Sequence, residues 1–148
     1  MQSNINKNII SFIIPAYNAG KTIENTINSI LKQKETSLQY EIIVVNDGST
    51  DNIDDIMKKF NENKNIKYFS KENTGVADTR NYGINKSNGE YIIFVDSDDY
   101  IAESLLKDIE TYIKQDIELI KWNPIFVDEN KNEISKNVNI AFEKVTGE

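Results

Sequence analysis

The sequence predicts an α/β fold with a mainly parallel sheet and helices on both faces. Two observations lead to this prediction. Short, β-branched apolar runs alternate with amphipathic segments through about the first hundred residues, and three of these runs lead directly into polar clusters. Such alternation is typical of strand–helix–strand units, whose right-handed crossovers place helices on both faces of the sheet. The chain has 148 residues, the size of one ordinary domain, so we expect residues 1–148 to form one domain.

Four apolar runs predict the strands. The runs at residues 9–14, 41–45 and 91–95 are nearly continuous, as is usual for parallel strands that are covered on both faces. Pro15 closes the first of them. The run at residues 66–69 is weaker and predicts the third strand in chain order.

Helical spacing of apolar residues predicts four helices between and after these strands. The first covers about residues 20–33, where four apolar side chains recur on one face: Ile23, Ile27, Ile30 and Leu31. Three more helices are predicted at residues 53–60, 74–86 and 105–113. Beyond them we expect an extended stretch at 117–127, a turn at 128–132 and a weakly patterned tail.

The composition excludes several classes of chemistry. The chain has no Cys and no His, so it can form no disulfide, cysteine nucleophile, cysteine zinc site or Ser-His-Asp triad. Its 17 basic and 24 acidic residues give a net charge of −7, which argues against a nucleic-acid surface. No apolar stretch approaches the roughly 20 residues of a membrane span, and the N-terminus is too polar for a signal peptide. We expect a cytoplasmic protein whose chemistry uses carboxylates, hydroxyls, basic side chains, backbone amides or a hard metal ion.

Three polar clusters follow predicted strands, at residues 15–18, 46–49 and 96–99. In an open parallel sheet the carboxyl ends of the strands share one edge, and ligands bind there. We therefore expect the three clusters to converge on one crevice. The alternative for each cluster is a solvent-exposed turn that caps the helix after it.

The last cluster carries three carboxylates, Asp96, Asp98 and Asp99, within four residues. Like charges so close together raise one another's pKa unless a cation joins them. One interpretation is a solvated turn and helix cap. The other is a site for Mg²⁺ or Mn²⁺, which prefer carboxylate oxygens together with substrate phosphates. A divalent ion would then join Asp98 to a diphosphate.

The other clusters offer candidates for nucleotide recognition. The Asp47 carboxylate can accept a hydrogen bond from uracil N3–H or from a ribose hydroxyl, or it can belong to a structural turn with Gly48. Tyr17 can flank a flat base or simply pack. Arg80 lies in the helix that Gly75 opens, where it can pair with neighbouring carboxylates and touch a diphosphate, or remain a surface residue.

Two further features are interpreted as having no role in such a site. Lys71 and Lys86 are assigned as solvated charges. Residues 20–22, Gly-Lys-Thr, resemble the end of a phosphate-binding P-loop, but the position that requires the first Gly of that motif is Pro15. Proline and the bulky Tyr17 would obstruct a loop whose amides must wrap phosphate, so we reject a P-loop.

Together the motifs resemble those of the family 2 glycosyltransferases. The resemblance rests on four ordered segments: Ser-Phe-Ile-Ile-Pro-Ala-Tyr-Asn at 11–18, Val-Val-Asn-Asp-Gly-Ser-Thr-Asp at 44–51, the pattern Asn-x-Gly-x₄-Arg-Asn-x-Gly at 73–83, and Phe-Val-Asp-Ser-Asp-Asp at 94–99. It implies a GT-A fold with a Rossmann-like sheet, and an inverting, metal-dependent enzyme that uses nucleotide-sugar donors. One departure is Thr79, where relatives often carry Ala, and we expect it to affect packing more than chemistry.

The resemblance also implies which residues contact the nucleotide. Pro15, Ala16 and Tyr17 would line the base and ribose pocket. Asp47 would bind the base, with uracil expected. Five further residues complete the expected nucleotide-sugar contacts: Asn18, Gly48, Asn73, Gly75 and Ser97.

The resemblance places the diphosphate and the metal at the cluster of residues 96–99, hereafter the acidic cluster. Arg80 would lie near the diphosphate, and Asp96 would contact the ribose or the sugar. Asp98 would ligate Mn²⁺ or Mg²⁺, with Asp96 as a second candidate ligand. Family members usually need a longer catalytic domain, so we expect a donor-binding half that is truncated before the acceptor half. The general base is then expected beyond Glu148, and the isolated fragment is expected to be weakly active or inactive.

The function expected from the resemblance is transfer of a sugar from a UDP-sugar to a saccharide or lipid-linked acceptor, in cell-surface polysaccharide synthesis. The enzyme would act in the cytoplasm or peripherally at the inner face of the membrane. Apolar surface exposed by a missing half could drive self-association into a homo-oligomer. Two alternatives stay open. One is a nucleotidyltransferase that builds nucleotide sugars, which would normally carry a Gly-rich, basic loop after the first strand, and the other is a non-catalytic interaction module.

Overall fold

The structure of the chain is a computed structural model, and it describes residues 6–115 and Asn130. The chain divides into two compact units, residues 1–108 and 109–148, and the sheet belongs to the first. The extended stretch predicted at 117–127 and the predicted tail lie outside the described residues. The turn predicted at 128–132 also lies outside them, except for Asn130.

Strands and helices alternate along the described chain. In order they are β1 (Asn6–Ala16), α1 (Ile23–Leu31), β2 (Gln39–Asp47), α2 (Ile53–Met57), β3 (Ile66–Lys71), α3 (Val76–Lys86), β4 (Gly89–Phe94) and α4 (Leu105–Ile113), with a 3₁₀ turn (Lys58–Phe60) after α2. The four strands form one parallel sheet in the order β3-β2-β1-β4. The predicted α/β fold with a mainly parallel sheet is therefore confirmed.

Two element boundaries differ from the sequence prediction because of Asp47. Strand β3 continues to Lys71, two residues further than predicted, because Asp47 pairs with Lys71 in the ladder between β2 and β3. Helix α3 begins at Val76 rather than at Thr74. The N–H groups of Thr74 and Gly75 donate to Asp47 instead of entering the helix, and Gly75 has a φ of 92°, which a helix does not allow.

The core lies around the two central strands, β1 and β2. Every residue from 10 to 16 and from 41 to 47 is buried, which confirms two of the three predicted buried strands. The third, β4, is an edge strand of the described sheet and is only partly buried, with Phe94 44% exposed. Helices α1 and α2 bury five apolar side chains of their own: Ile23, Ile27, Ile30, Ile53 and Met57. Each fully buried isoleucine contributes about 1.5–3 kcal/mol. The carboxyl ends of β1 and β2 are therefore held by the buried core of the described sheet.

Helix α3 approaches β1 closely at Gly83. Gly83 is buried, and a Cβ atom there would overlap the Cγ2 methyl of Ile13, which is itself fully buried. Gly83→Ala gains about 1 kcal/mol of helix propensity, but forcing a methyl into a packed core costs about 1–3 kcal/mol. We expect Gly83→Ala to lower the free energy of unfolding by about 1 kcal/mol net, measured by urea denaturation. Asn85→Ala, at an exposed position of the same helix, is the control, and equal stabilisation by both changes would refute the close packing.

A buried carboxylate, Glu41, lies near the amino ends of β2 and β4. Its side chain accepts hydrogen bonds from Ser11 Oγ at 2.6 Å, Lys67 Nζ at 2.7 Å and the Asn88 N–H at 2.6 Å. The Ser11 hydroxyl in turn accepts the Gly89 N–H at 2.9 Å. Burial alone would raise the pKa of Glu41, but these hydrogen bonds and the Lys67 charge outweigh it and hold the pKa below its ordinary value. Glu41 thus joins β1, β3 and the turn before β4.

Candidate functional site

A pocket of about 240 Å³ opens where the first two polar clusters meet the start of α3. Eight residues line it: Pro15, Ala16, Tyr17, Asp47, Asn73, Gly75, Val76 and Thr79. The lining includes the carboxyl ends of β1 and β2, as expected for an open parallel sheet. Six of the residues predicted to bind nucleotide sugar are thereby brought together. Tyr17 and Val76 are more than half exposed, so they stand at the mouth of the pocket.

Asp47 connects β2 to the loop before α3. Its Oδ1 accepts hydrogen bonds from Lys71 Nζ at 2.5 Å and from the Thr74 N–H at 2.9 Å. Its Oδ2 accepts the Gly75 N–H at 3.0 Å. The Asp47 side chain is only 6% exposed, so these donors replace the water that an ionised group needs. Asp47 therefore fixes the backbone that forms one wall of the pocket.

Asp47 remains ionised in spite of its burial. Burial alone would raise its pKa, but hydrogen bonds from Lys71, the Thr74 amide, Thr79 and the Gly75 amide outweigh burial and hold the pKa below its ordinary value. The pKa of Lys71 shifts in the opposite direction, upward. Burial lowers the pKa of Lys71, whereas its hydrogen bonds and charge interactions with Asp47 and Asp78 raise it above the ordinary value. The site thus contains a buried ion pair in its charged form.

The interpretation of Lys71 as a solvated charge is wrong. Its side chain is only 12% exposed, and its ammonium group contacts Asp47, Thr74 Oγ1 and the Glu72 carbonyl. It also lies 3.4 Å from Asp78. Sequence reasoning could not place Lys71 opposite Asp47, because this pairing depends on the register of β3 against β2 and the predicted strand ended before Lys71. Lys86, the other lysine so interpreted, is exposed, and its ammonium lies 5.4 Å from the ring centroids of Phe69 and Tyr82.

Gly48 lets two loops approach each other. It has a φ of 70°, and a Cβ atom there would lie 2.8 Å from the backbone nitrogen of Asn73. A side chain at this position would therefore push the Asn73 loop away from the end of β2. Gly48 is not among the residues that line the pocket. Its contribution among the described residues is to allow Asn73 into the wall.

Asn18 lies in a loop that interlocks with the loop after β2. The Asn18 N–H donates to Ser49 Oγ at 2.9 Å, and Asn18 Oδ1 accepts the Thr50 N–H at 2.8 Å. The Gly20 N–H donates to Asp51 Oδ2 at 2.7 Å. Asn18 has a φ of 51°, a conformation that asparagine tolerates better than most residues. The Asn18 side chain thus braces the rim, while Tyr17 beside it lines the pocket.

The same interlocking bears on two of the sequence predictions. Helix α1 was predicted from about residue 20 but begins at Ile23, because the Gly20 amide is bonded to Asp51. A P-loop would need the Gly20 amide for phosphate. The rejection of a P-loop therefore agrees with the structure.

Arg80 joins the acidic cluster to the helix that lines the pocket. Its Nη2 donates to Asp96 Oδ1 at 2.9 Å, and its guanidinium lies 5.5 Å from the centroid of the Phe94 ring. The Nε atom of Arg80 is buried and has no hydrogen-bond partner among the described residues. Because Thr79, the preceding residue, lines the pocket, Asp96 is tied to the neighbourhood of the pocket through Arg80.

Helix α1 holds the acidic cluster in place. The Thr26 hydroxyl donates to the Ser97 carbonyl at 2.9 Å, and the Ile101 N–H donates to the Ser29 hydroxyl at 3.0 Å. Within the cluster, the Asp99 N–H donates to the Asp96 carbonyl at 3.0 Å, which closes a turn. Ser97 is thus held through its backbone, and it does not line the pocket.

The carboxylates of the cluster suit a hard divalent cation. Asp96, Asp98 and Asp99 are exposed. Partial desolvation by neighbouring atoms, together with the charges of Asp96 and Asp98, raises the pKa of Asp99. In the described part of the chain no three acidic side chains are grouped so as to hold a metal ion by themselves. Mg²⁺ and Mn²⁺ commonly bind through one or two carboxylates and take the remaining ligands from phosphate and water. The carboxylate oxygens at residues 96–99 are suited to bind such an ion when a phosphate group supplies further ligands.

Two pocket residues, Val76 and Thr79, were not predicted from the sequence. Thr79 was expected to affect packing, but it lines the pocket, donates to the Gly75 carbonyl at 2.8 Å and helps to lower the pKa of Asp47. The signal was its position four residues after Gly75, one helical turn into α3. Val76 follows Gly75 directly, and its exposure places it at the pocket mouth.

Comparisons with known proteins agree with these motifs. The model of the family "Glycosyl transferase family 2" matches residues 11–147. Poly(ribitol-phosphate) β-N-acetylglucosaminyltransferase TarS of Staphylococcus aureus is 38% identical over 120 residues, which is 78% of this chain and 21% of TarS. Glycosyltransferase GlyA of Streptococcus pneumoniae is 41% identical over 110 residues, which is 74% of this chain and 15% of GlyA. The chain thus spans about a fifth or less of the length of these relatives.

Solved structures show the same architecture. The crystal structure of S. aureus TarS residues 1–349 in complex with UDP-GlcNAc matches with a TM-score of 0.66 and 37% identity, over 72% of this chain and 31% of that one. A mannosyltransferase from Pyrobaculum calidifontis, solved with GDP-Man and Mn²⁺, shares the fold with a TM-score of 0.63 at 23% identity, over 70% of this chain and 32% of that one. Within the described residues, no helix has the length and apolar character needed to cross a membrane. From the family match, the relatives and the shared sheet, the chain belongs to glycosyltransferase family 2 and has the GT-A fold.

Proposed function

We propose that this chain is the donor-binding part of a metal-dependent, inverting glycosyltransferase that uses a UDP-sugar. The observation that carries the proposal is the pocket at the carboxyl edge of the sheet, where a buried, ionised Asp47 meets Tyr17 and the Asn73–Gly75 loop. The complex of the related TarS with UDP-GlcNAc supports the choice of donor. The acceptor is proposed to be a saccharide or a lipid-linked sugar, reached in the cytoplasm or at the inner face of the membrane.

The base is proposed to occupy this pocket. Uracil has an N–H at N3 between two carbonyl oxygens, and an ionised carboxylate is a strong acceptor for such a donor. Asp47 would accept this hydrogen bond, and the ring of Tyr17 would lie beside the flat base at the pocket mouth. Pro15 and Ala16, at the end of β1, provide the apolar wall on the same side.

The diphosphate is proposed to extend from the pocket toward Arg80 and the acidic cluster. The buried Nε–H of Arg80 has no partner among the described residues, and we propose that a phosphate oxygen satisfies it after a small movement of the side chain, while Nη2 holds Asp96. Asp98, with Asp96 as a second candidate, would hold Mn²⁺ or Mg²⁺ together with the phosphates. A bound divalent ion would supply charge neutralisation of the departing UDP. None of the described carboxylates is assigned as the general base that deprotonates the acceptor hydroxyl.

The nucleotidyltransferase alternative has no support from the loop after β1. Such an enzyme would need a Gly-rich, basic loop there, but residues 15–18 are Pro-Ala-Tyr-Asn. The amide of Asn18 is bonded to Ser49, and that of Gly20 is bonded to Asp51. These amides are therefore unavailable for a triphosphate.

Calorimetry with UDP tests the proposed function. We expect the chain to bind UDP at least about tenfold more tightly with Mn²⁺ than without it, a difference of about 1.4 kcal/mol. Asp98→Ala should remove this metal-dependent gain because the ion loses a ligand, and it should leave the melting temperature unchanged because Asp98 is exposed. Asp55→Ala is the control, because Asp55 pairs at the surface with Lys58, three residues further along the chain. UDP binding that needs no metal and survives Asp98→Ala would contradict the assignment, and absence of UDP binding would contradict the proposed function.

A further inference from the structure

We infer that Asn46 positions the ring of Tyr17 for the base, acting through Ser49 and Asn18. The inference rests on the proposed function, in which Tyr17 lies beside the base. Asn46 precedes Asp47 in β2, but it does not line the pocket. It is therefore a positioning residue, whose amide determines where the Tyr17 ring lies without touching the ligand.

Asn46 is a polar residue in the buried part of β2. It is 2% exposed and follows four fully buried apolar residues, Ile42–Val45. Its Oδ1 accepts the Ser49 N–H at 2.9 Å, and its Nδ2 donates to the Tyr68 hydroxyl at 2.9 Å. A buried amide is unfavourable unless it is hydrogen-bonded, and these two contacts satisfy both ends of the group. Asn46 thereby joins β3 to the loop after β2.

The Asn46 amide can point in only one direction. Tyr68 donates its single hydroxyl proton to Asp54 Oδ1 at 2.5 Å, because a carboxylate accepts hydrogen bonds and cannot donate them. Burial, together with the hydrogen bond and charge of Asp54, raises the pKa of Tyr68 above its ordinary value, so the phenol keeps that proton. The Tyr68 oxygen can therefore only accept from Asn46, which turns Nδ2 toward Tyr68 and Oδ1 toward Ser49. A reversed amide would set oxygen against oxygen at Tyr68 and N–H against N–H at Ser49.

Ser49 holds the loop that carries Tyr17. Its hydroxyl oxygen accepts the Asn18 N–H at 2.9 Å, and Asn18 Oδ1 accepts the Thr50 N–H at 2.8 Å. The Asn18 N–H belongs to the planar peptide group that joins Tyr17 to Asn18, so the bond to Ser49 fixes the backbone beside the Tyr17 side chain. Tyr17 is 56% exposed, so packing restrains its ring only in part. The position of the ring therefore depends on Ser49, and through Ser49 on Asn46.

A displaced Tyr17 ring would lose contact with the base. Stacking of a base on an aromatic side chain raises affinity by about tenfold, so Tyr17→Ala should weaken UDP binding by about that factor. A ring that is present but poorly placed should lose a large part of this gain, about fivefold. Because Asn46 and Ser49 act through the ring, removing either of them should matter only while the ring is present.

A double-mutant cycle measured by calorimetry with UDP and Mn²⁺ tests this dependence. Ser49→Ala removes the acceptor of the Asn18 N–H, and Asn46→Leu removes the amide at nearly constant volume. Each should weaken UDP binding by about fivefold. In a chain that already carries Tyr17→Ala, the same two substitutions should change the affinity by less than about twofold, which is the scatter of additive effects. Displacement of a tighter ligand measures the weakest variants.

Two further variants control for structural effects. Asn46→Asp keeps an acceptor for the Ser49 N–H but sets a carboxylate oxygen against the Tyr68 oxygen. It should lower the melting temperature and still recover most of the affinity that Asn46→Leu loses. Asn63 lies before β3, at the end of the sheet away from the pocket, and its Oδ1 accepts the Asn65 N–H at 3.0 Å. Asn63→Ala removes a similar loop contact and should leave UDP affinity unchanged.

Each outcome supports or overturns the inference. Equal losses of affinity with and without the Tyr17 ring would overturn it, and so would a folded Ser49→Ala that binds UDP like the wild type. A folded Asn46→Asp with affinity about fivefold below that of the wild type would overturn it as well, even if Asn46→Leu failed to fold. If neither Asn46 variant folds, the Ser49→Ala cycle decides. In all these cases UDP binding by the wild type leaves the proposed function standing, whereas a wild-type chain that does not bind UDP refutes the proposed function.

Discussion

Asp47→Ala should abolish measurable UDP binding and lower the free energy of unfolding by about 3 kcal/mol. The carboxylate is almost fully buried and accepts Lys71 Nζ and the N–H groups of Thr74 and Gly75. Its removal leaves the Lys71 ammonium without its nearest counter-charge and two backbone amides without acceptors, and each of these is unfavourable. Binding fails for two reasons: the base loses its acceptor, and the loop of residues 73–75 loses its attachment to β2. Urea denaturation and calorimetry with UDP measure the two effects separately.

Two further variants define what Asp47 contributes. Asp47→Asn keeps the shape and one acceptor oxygen but loses the charge, so we expect about half of the loss in stability and most of the loss in binding. Asp55→Ala removes an exposed carboxylate that pairs with Lys58, and it should change stability by less than about 1 kcal/mol. If Asp47→Ala behaved like Asp55→Ala, the carboxylate would be unimportant both for the loop and for the ligand.

Glu41→Ala should lower the free energy of unfolding by about 3 kcal/mol while leaving UDP affinity unchanged in the folded chain. The change removes the acceptor for the buried Ser11 hydroxyl and for the Asn88 N–H, and it leaves a cavity between β1 and β2. The pocket is unaffected because Asp47 lies six residues further along β2, which is about 20 Å in an extended strand. Lower UDP affinity in folded Glu41→Ala would show that the two ends of the sheet are coupled.

The stability that Glu41 contributes should depend on pH in a defined direction. Its pKa is lower in the folded chain than its ordinary value, so the unfolded chain takes up the proton first as pH falls. The contribution is complete above the ordinary pKa of about 4.3 and decreases as pH falls through the folded pKa. Urea denaturation at about pH 7 and about pH 3 should therefore show a smaller difference between wild type and Glu41→Gln at the lower pH. A constant difference would mean that Glu41 does not titrate differently in the folded chain.

The sheet and much of the pocket could be predicted from the sequence for simple physical reasons. Continuous β-branched runs indicate strands buried on both faces, and alternation with helices makes those strands parallel. Parallel strands bring their carboxyl ends to one edge, so Pro15–Tyr17 and Asp47 could be assigned to one site without coordinates. Gly75 could be assigned to the site because a glycine at the start of a helix allows close backbone approach, whereas its positive φ became known only from the structure.

The ion pairs of the site could not be predicted, because they depend on strand register. Lys71 faces Asp47 only because β3 pairs with β2 in one particular alignment, and no local pattern in the sequence defines that alignment. Glu41 is the first residue of the second predicted strand, and it is buried among contacts with Ser11 and Asn88 from distant segments. A charged residue in an apolar run can be solvated or paired, and only the neighbouring strand decides between these states.

The interlocked loops beside the pocket have a thermodynamic consequence. Hydrogen bonds run in both directions between Asn18 and residues 49–50, and the Gly20 amide is bonded to Asp51. Ordering a mobile segment reduces conformational entropy and so weakens association. Because these bonds already order the segment, an arriving ligand has little further entropy to remove from this part of the protein. The unfavourable entropy of association then comes mainly from the ligand's own loss of translation, rotation and internal flexibility.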